Sequence, residues 1–357
     1  MKPSAEILFS LSEVLPQEWD NLVDPNNPFC THAFLHTMEQ SRSVGGQSGW
    51  TPCHIVLRDE ESQDLMAAMP LYLKTHSYGE YIFDWSWADA SERAGIPYFP
   101  KLVSAVPFTP ASGDRLLIHP TLDRSTIEPL LIDLAQQVAE QLEANSIHWL
   151  CVDSPNPPSQ GVEARETVQF HWNNPNVSTF DEWLALFKSK DRKKMRAERR
   201  KAHTGVDRFE VLHGADINQE QIDLIWTCYQ DTTTRKWGRP YLTYEFFQSL
   251  NQSLADLVIA FVAYKNGQMV AVSLCFKRGQ HLYGRYWGTL IEADSLHFEL
   301  CYHQPIEYCI QHGLTKFEAG AQGEHKISRG YVPIVTNSMH WIENPSFKIA
   351  IKKFLAQ

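Results

Sequence analysis

Val258-Ile-Ala-Phe-Val-Ala-Tyr264, Lys265-Asn-Gly-Gln268, Met269-Val-Ala-Val-Ser-Leu-Cys-Phe276: two apolar, β-rich runs joined by a short polar turn read as a hairpin. Downstream, Gln280–Trp287 reads as a further strand, Ser295–His312 as a helix and Lys316–Ala319 as a strand. Upstream, Gln219–Tyr229 and Tyr244–Leu254 carry helical spacing. The first half repeats this grammar. It opens with a strand at Glu6–Phe9, a helix start at Pro16–Leu22, a turn at Asn26–Cys30 and a helix at Ala33–Gln40. His54–Arg58 and Leu65–Lys74 then form an antiparallel pair across the turn Asp59–Ser62. Arg115–His119 is a strand, and Ser125–Ala144 is an amphipathic helix with Ile127, Leu131, Leu134, Val138 and Leu142 at helical spacing. Ile147–Val152 closes the half as a strand. The halves also end alike, on Gln169-Phe-His-Trp172 and Ser338-Met-His-Trp341. Two lobes of one α/β (α+β) type follow, divided as 1–177, a basic connecting helix at 178–206, and 207–357.

A chain of 357 residues is too long for one ordinary core and comfortable for two. With 43% hydrophobic and 21% charged residues it is globular. Its net charge of -10 argues against nucleic-acid or membrane binding by the whole molecule. The first 20 residues have no leader-like apolar run, and no window approaches the roughly 20 apolar residues that span a bilayer. A cytoplasmic protein is expected. Seven scattered cysteines without CxxC spacing read as small buried thiols in a reducing compartment, with neither disulfides nor a zinc site. Between Ser77 and Gly113 aromatics, Pro and Gly dominate, which reads as an ordered wall or lid.

One segment departs from the overall charge. Ser178 or Thr179 caps a helix with Trp183, Leu184 and Phe187 on its apolar face, continuing as Lys188-Ser-Lys-Asp-Arg-Lys-Lys-Met-Arg-Ala-Glu-Arg-Arg-Lys201. Only Asp191 and Glu198 offset its cations. Arg192, Lys193, Arg196 and Arg200 are therefore expected to bind a polyanion, against the alternative of a solvated face.

Several stretches carry a family resemblance: His76-Ser-Tyr-Gly-Glu-Tyr-Ile-Phe-Asp84, Tyr98-Phe-Pro-Lys101, Pro107-Phe-Thr-Pro110, Arg235-Lys-Trp-Gly238, Leu282-Tyr-Gly-Arg-Tyr-Trp-Gly288, Leu296-His-Phe-Glu-Leu-Cys-Tyr302 and Glu318-Ala-Gly-Ala-Gln-Gly-Glu-His-Lys326. With them the chain resembles, over nearly its whole length, the FemAB-like proteins of bacteria, associated with peptidoglycan biosynthesis and GNAT-type acyl transfer. More widely it is similar to the Fem aminoacyltransferases, which have two GNAT-like lobes and move an amino acid from tRNA to a cell-wall precursor amine. The resemblance implies two tandem GNAT-like lobes, each a mixed central sheet flanked by helices. It also implies transfer of an acyl or aminoacyl group onto a small-molecule or peptide amine, with Lys326 helping to hold substrate. The donor it implies is aminoacyl-tRNA or acyl-CoA, and no cofactor is certain. The phosphate-cradling Gly-rich loop of acyl-CoA enzymes is missing: Gly288-Thr-Leu-Ile-Glu-Ala-Asp294 stands there, and Glu292 and Asp294 repel phosphate. The alternatives are an acyl-CoA N-acetyltransferase with a degenerate loop, and a non-catalytic protein that binds tRNA or a phosphate-rich ligand.

Acyl transfer to an amine needs a base, donors for the developing oxyanion, and a pocket. Glu318, Glu324 and His325 are candidate bases, with Glu299 as a further base or substrate anchor. Lys326 and Arg329 are candidate anion clamps among the glycines of the same stretch. Strand alternation places Tyr283, Arg285 and Trp287 on one face, where an Arg between aromatics suits a carboxylate or phosphate. Arg235 and Trp237 join cation to aromatic, and Lys101, Thr109 and Arg115 are expected to contribute from the first lobe. Glu299 and His303 share a helix face, but without HExxH spacing no metal is expected. No P-loop, dinucleotide fingerprint or Gly-x-Ser-x-Gly elbow occurs.

Overall fold

The computed structural model describes residues 2–82, 84–153, 161–237, 240–320 and 323–355, with the side chains of 236 and 237 excepted. The chain forms two compact units. The first comprises 1–24, 29–168 and 335–357, the second 25–28 and 169–334. The last 23 residues, assigned by sequence to the second lobe, therefore pack with the first unit.

In the first unit β1 (Pro3–Leu8), β3 (His54–Asp59), β4 (Leu65–Met69) and β7 (Leu117–Ile118) form an antiparallel sheet in the order β1-β3-β4-β7. The run read as one strand, Leu65–Lys74, breaks at Pro70. Its second part, β5 (Tyr72–Lys74), joins another sheet, with β2 (Trp50–Pro52), β6 (Lys101–Ser104), β8 (Ser146–Val152) and the first-unit residues of β15 (Val332–Ile342). Proline has no N–H to donate, so the ladder stops there. The order is β15-β8-β6-β5-β2, mixed because β6 runs parallel to β8.

This sheet has two unlike faces. Leu73, Leu102, Ile147, Trp149 and Met339 belong to the apolar core shared with the helix Arg124–Gln141. Register partners put Trp50, Lys74 and Lys101 together, and His148 with His340, on the opposite face. That face is covered by the helix Trp85–Arg93 and the segment before it, in the stretch read as a wall or lid. Trp87 packs against His340 at 4.8 Å.

In the second unit the order is β10 (Arg208–His213), β11 (Val258–Lys265), β12 (Gln268–Arg278), β13 (His281–Thr289), β14 (Lys316–Glu318) and the end of β9 (Val162–Asn173). β11–β12 is the hairpin expected from the opening stretch, and β13–β14 is parallel. The core of this sheet includes Phe261, Leu282, Leu300, Ile306 and Phe317 with Trp172 and Trp183. Gly288 lies where the helix Gln219–Trp237 crosses β13: a Cβ there would meet the Cys228 carbonyl oxygen at 2.2 Å. The two short echoes read from sequence, Gln169–Trp172 and Ser338–Trp341, both lie in strands, β9 and β15. Among the described residues no helix is long and apolar enough to cross a membrane.

Candidate active site in the second unit

Three elements of the second unit build a small pocket. The first is a bulge: Leu274 pairs Tyr286 while Cys275 pairs Gly284, so Arg285 is the extra residue on β13. This breaks the alternation expected from sequence. Tyr283 is buried and donates its hydroxyl to the Asn26 carbonyl at 3.2 Å, whereas Arg285, Tyr286 and Trp287 all line the pocket.

The second element is the helix read as Ser295–His312. It begins at Leu296–Phe298, passes through a π turn at Glu299–His303 and continues as Gln304–Gln311. Pro305 stands just after the wide turn, and having no N–H it makes no demand on a helical acceptor. The turn divides the side chains between two surroundings. His297, Cys301 and Tyr302 line the pocket. Glu299 and His303 instead meet the basic helix Ser189–Gly205.

The third element is the loop after β14. Ala319 and Gly320 line the pocket, and the 3-10 turn Glu324–Arg329 follows. Lys326, only 1% exposed, donates from Nζ to the Gly320 carbonyl at 2.7 Å. No carboxylate lies within ion-pair distance of it among the described residues. Burial lowers its pKa to about 8; Cys301 opposes the shift and Arg285 adds to it. The cavity measures about 150 Å³.

Arg329 is held by protein groups. It forks onto Glu198 of the basic helix (Nη2–Oε1 2.6 Å, Nε–Oε2 3.1 Å), stacks 3.7 Å over the Phe298 ring and donates to the His325 carbonyl at 2.8 Å. His303 Nε2 completes the Glu198 site at 3.1 Å. Burial pulls the Glu198 carboxyl upward, but bonds from His303 and Arg329 outweigh it and hold the pKa below its ordinary value. This cluster clamps the Lys326 turn to the basic helix. Gly330 ends the turn in the left-handed region (φ 82°), where a Cβ would strike the Phe187 and Trp183 rings at under 3 Å.

The expected bases fare differently. Glu318 is buried, with Lys316 at 2.6 Å and His171 at 3.8 Å. Glu324 is exposed. Glu299 is fully buried, with its Oε1 held by Arg199 at 3.1 Å and Gln304 at 3.3 Å. His325 is exposed, but its Nε2 lies 3.0 Å from the hydroxyl of pocket-lining Tyr302. Burial first, then Arg329, Lys326 and Lys194, depress its pKa below 6.5, so the ring is neutral at neutral pH.

The remaining candidates have surroundings of their own. Arg235 pairs with Asp231 one helical turn away, and the side chain of Trp237 falls outside the described residues. Lys101 is fully buried and held by Glu80 and Asp84. Arg115 serves the carbonyls of Ala111 and Leu150, and Thr109 is buried. All three fill the first unit's own interior. On the basic helix Lys193, Arg196 and Arg200 are exposed, while half-buried Arg192 donates to the Phe187 carbonyl at 3.1 Å. Arg199 faces inward to Glu299 and Glu307. No group of three or more His, Cys, Asp or Glu among the described residues could hold a metal ion.

Fold and site define a two-unit α/β protein with a small pocket lined by Arg285 and aromatic side chains. The FemAB-like family model, described as peptidoglycan biosynthesis/recognition, matches residues 10–357, and the chain belongs to that family. The fold is similar to that of FemX (11% identity, TM-score 0.58, covering 98% of this chain and 99% of that one). It is also similar to L-PGS from Bacillus licheniformis (12%, TM-score 0.52, 90% and 95%). A third likeness is the C-terminal domain of a putative lysylphosphatidylglycerol synthetase from Agrobacterium fabrum (10%, TM-score 0.56, 97% and 96%). No curated protein matches the sequence.

Proposed function

We propose that this FemAB-like chain is an acyltransferase that moves an acyl or aminoacyl group onto an amine, with the second-unit pocket as the reacting site. The observation that carries the reading is Lys326: a buried ammonium bonded to the carbonyl of pocket-lining Gly320 and matched by no carboxylate among the described residues. An ammonium has three N–H donors, so Lys326 has capacity left for an oxygen that gains charge during transfer. Arg285 adds positive charge from the bulge. Tyr302 and neutral His325 supply a path by which the attacking amine's proton leaves the pocket. A nitrogen–carbon bond forms, the amine's proton passes to the histidine, and as the bond to the donor oxygen or sulfur breaks the protonated histidine returns that proton to the leaving atom, directly or through Tyr302.

The donor is an aminoacyl-tRNA. The exposed cations Lys193, Arg196 and Arg200 favour a polyanion over the alternative of a solvated face. Acyl-CoA is disfavoured because Glu292 and Asp294 stand where its phosphates would need backbone amides; Asp294 pairs with exposed Lys201 at 2.8 Å. Incubation with charged tRNAs, with acyl-CoAs and with a panel of amines, read by mass spectrometry, tests this. Transfer from charged tRNA is expected. A micromolar acetyl-CoA complex by calorimetry would overturn the assignment of donor, and no transfer from either donor class would leave a tRNA- or phosphate-binding protein.

A further inference from the structure

The first unit buries charge where its fold does not require it. Lys74 and Lys101 are register partners on adjacent strands β5 and β6, and both are fully buried. Like charges directly opposite on a sheet repel. Taking each ion out of water costs several kcal/mol unless it is well matched. The other face of the same sheet is filled with apolar side chains, so this architecture is able to close without ions.

Lys74 donates from Nζ to the Tyr78 carbonyl at 3.0 Å and Lys101 to the Ser77 hydroxyl at 2.9 Å, and one carboxylate spans the pair. Glu80 places Oε2 2.8 Å from Lys101 Nζ and Oε1 3.9 Å from Lys74 Nζ, bridging the pair. Asp84 also meets Lys101 and accepts from Tyr98 at 2.5 Å. Glu80 and Asp84 arrive on one stretch, residues 77–82 and Asp84, which crosses the face as turns and bends rather than as a paired strand. The match is incomplete: Glu80 Oε1 and Asp84 Oδ1 are buried without a hydrogen-bond partner among the described residues, as is Trp50 Nε1 beside Lys74. Asp84 stands at the N-cap of the helix Trp85–Arg93 yet makes no capping bond, its carboxylate being engaged with Lys101. Tyr78 and Trp85 on the same stretch lie 52% and 40% exposed.

We propose that Lys74 and Lys101 form a two-cation cradle for an anionic oxygen group, carboxylate or phosphate, of a ligand bound in the first unit. Glu80 is the built-in occupant that such a group displaces. The cations sit on paired strands and hold their spacing, while their counter-ion sits on a segment free of strand pairing. A strand-borne cradle and a loop-borne plug is the arrangement in which the plug leaves and the site remains. Burial raises the Glu80 carboxyl to about 7, which eases its departure, and lowers Lys74 to about 7, so the second cation is fully present only below neutral pH. This site does not rest on the transferase reading, since none of its residues lines the second-unit pocket.

The test is Glu80→Gln, which removes the resident anion and keeps its size, titrated calorimetrically with sodium acetate and with inorganic phosphate. The variant is expected to bind at least one of them about 10-fold more tightly than wild type, a gain of ~1.4 kcal/mol. The stronger of the two arms names the ligand's group. A second measurement stands even if that variant fails to fold: amide hydrogen exchange on the wild-type chain. Residues 77–82 are expected to exchange faster than β5 and β6, and faster still with the binding anion present. If Glu80→Gln binds neither anion, or residues 77–82 are as protected as the strands and insensitive to both, the network is a sealed structural ion cluster and the proposal fails.

Discussion

Both units bury a lysine, and they satisfy it in opposite ways. Lys101 is enclosed by Glu80, Asp84 and the Ser77 hydroxyl, with Oγ at 2.9 Å. Lys326 has one neutral carbonyl. A buried cation matched by carboxylates is closed to a ligand until its counter-ion is displaced; one matched by a carbonyl keeps open capacity for a ligand. Burial alone therefore does not mark an open cation, and the charge of its partner separates an occupied site from an open one.

The strongest test of that contrast is stability. Lys101→Met leaves Glu80 and Asp84 as uncompensated buried carboxylates and is expected to cost roughly 3–5 kcal/mol in urea unfolding. Lys326→Met, leaving only a carbonyl, is expected to change stability little. If both substitutions destabilise alike, the contrast is wrong. Next comes function: Lys326→Met is expected to reduce transfer or ligand binding at least about 10-fold, ~1.4 kcal/mol, with near-normal melting. Unchanged turnover would move the reacting site out of this pocket.

The pH profile sharpens the picture without mutation. His325 accepts a proton only when neutral, so the rate should fall with acid through a value below 6.5. Lys326 is charged only below its pKa of about 8, so anion binding should weaken as pH rises through that value. A bell with those limbs is expected in kcat/KM, and loss of the acid limb in His325→Gln assigns it. The smallest effect on the fold comes from replacing Arg192, Lys193, Arg196 and Arg200 together by Ala. Melting should hold, while tRNA binding weakens and its salt dependence flattens. Binding as tight as wild type at low salt would return that helix to a solvated face.

Much of this was legible before any coordinates. The β11–β12 hairpin, the helix Arg124–Gln141 and the Thr179 cap follow from patterns of two and 3.6 residues and from side-chain oxygen chemistry, all local causes. Less of the site was. Lys326, Arg285 and Trp287 were visible as charges and aromatics next to glycines; Arg285 and Trp287 line the pocket, and Lys326 bonds to Gly320 in its wall. Arg329 was visible as a cation but not as Glu198's partner, because the two stand 131 residues apart and no local pattern links them. Glu198 and Arg199 looked like entries in a charge run; their inward turn depends on what the helix packs against. Cys301 and Tyr302 were hidden by the π turn, which shifts side-chain direction without a periodic signal.

By itself, then, the sequence determined the elements, the α/β class and the supply of cations and aromatics, since each depends on residues within a turn or two of one another. Tertiary structure alone decided which charge is matched by which. It put a β-bulge under Arg285, switched sheets at Pro70, and set Glu80 between Lys74 and Lys101. Electrostatic energy depends on distance in space and on exclusion of water, and neither is a property of spacing along the chain.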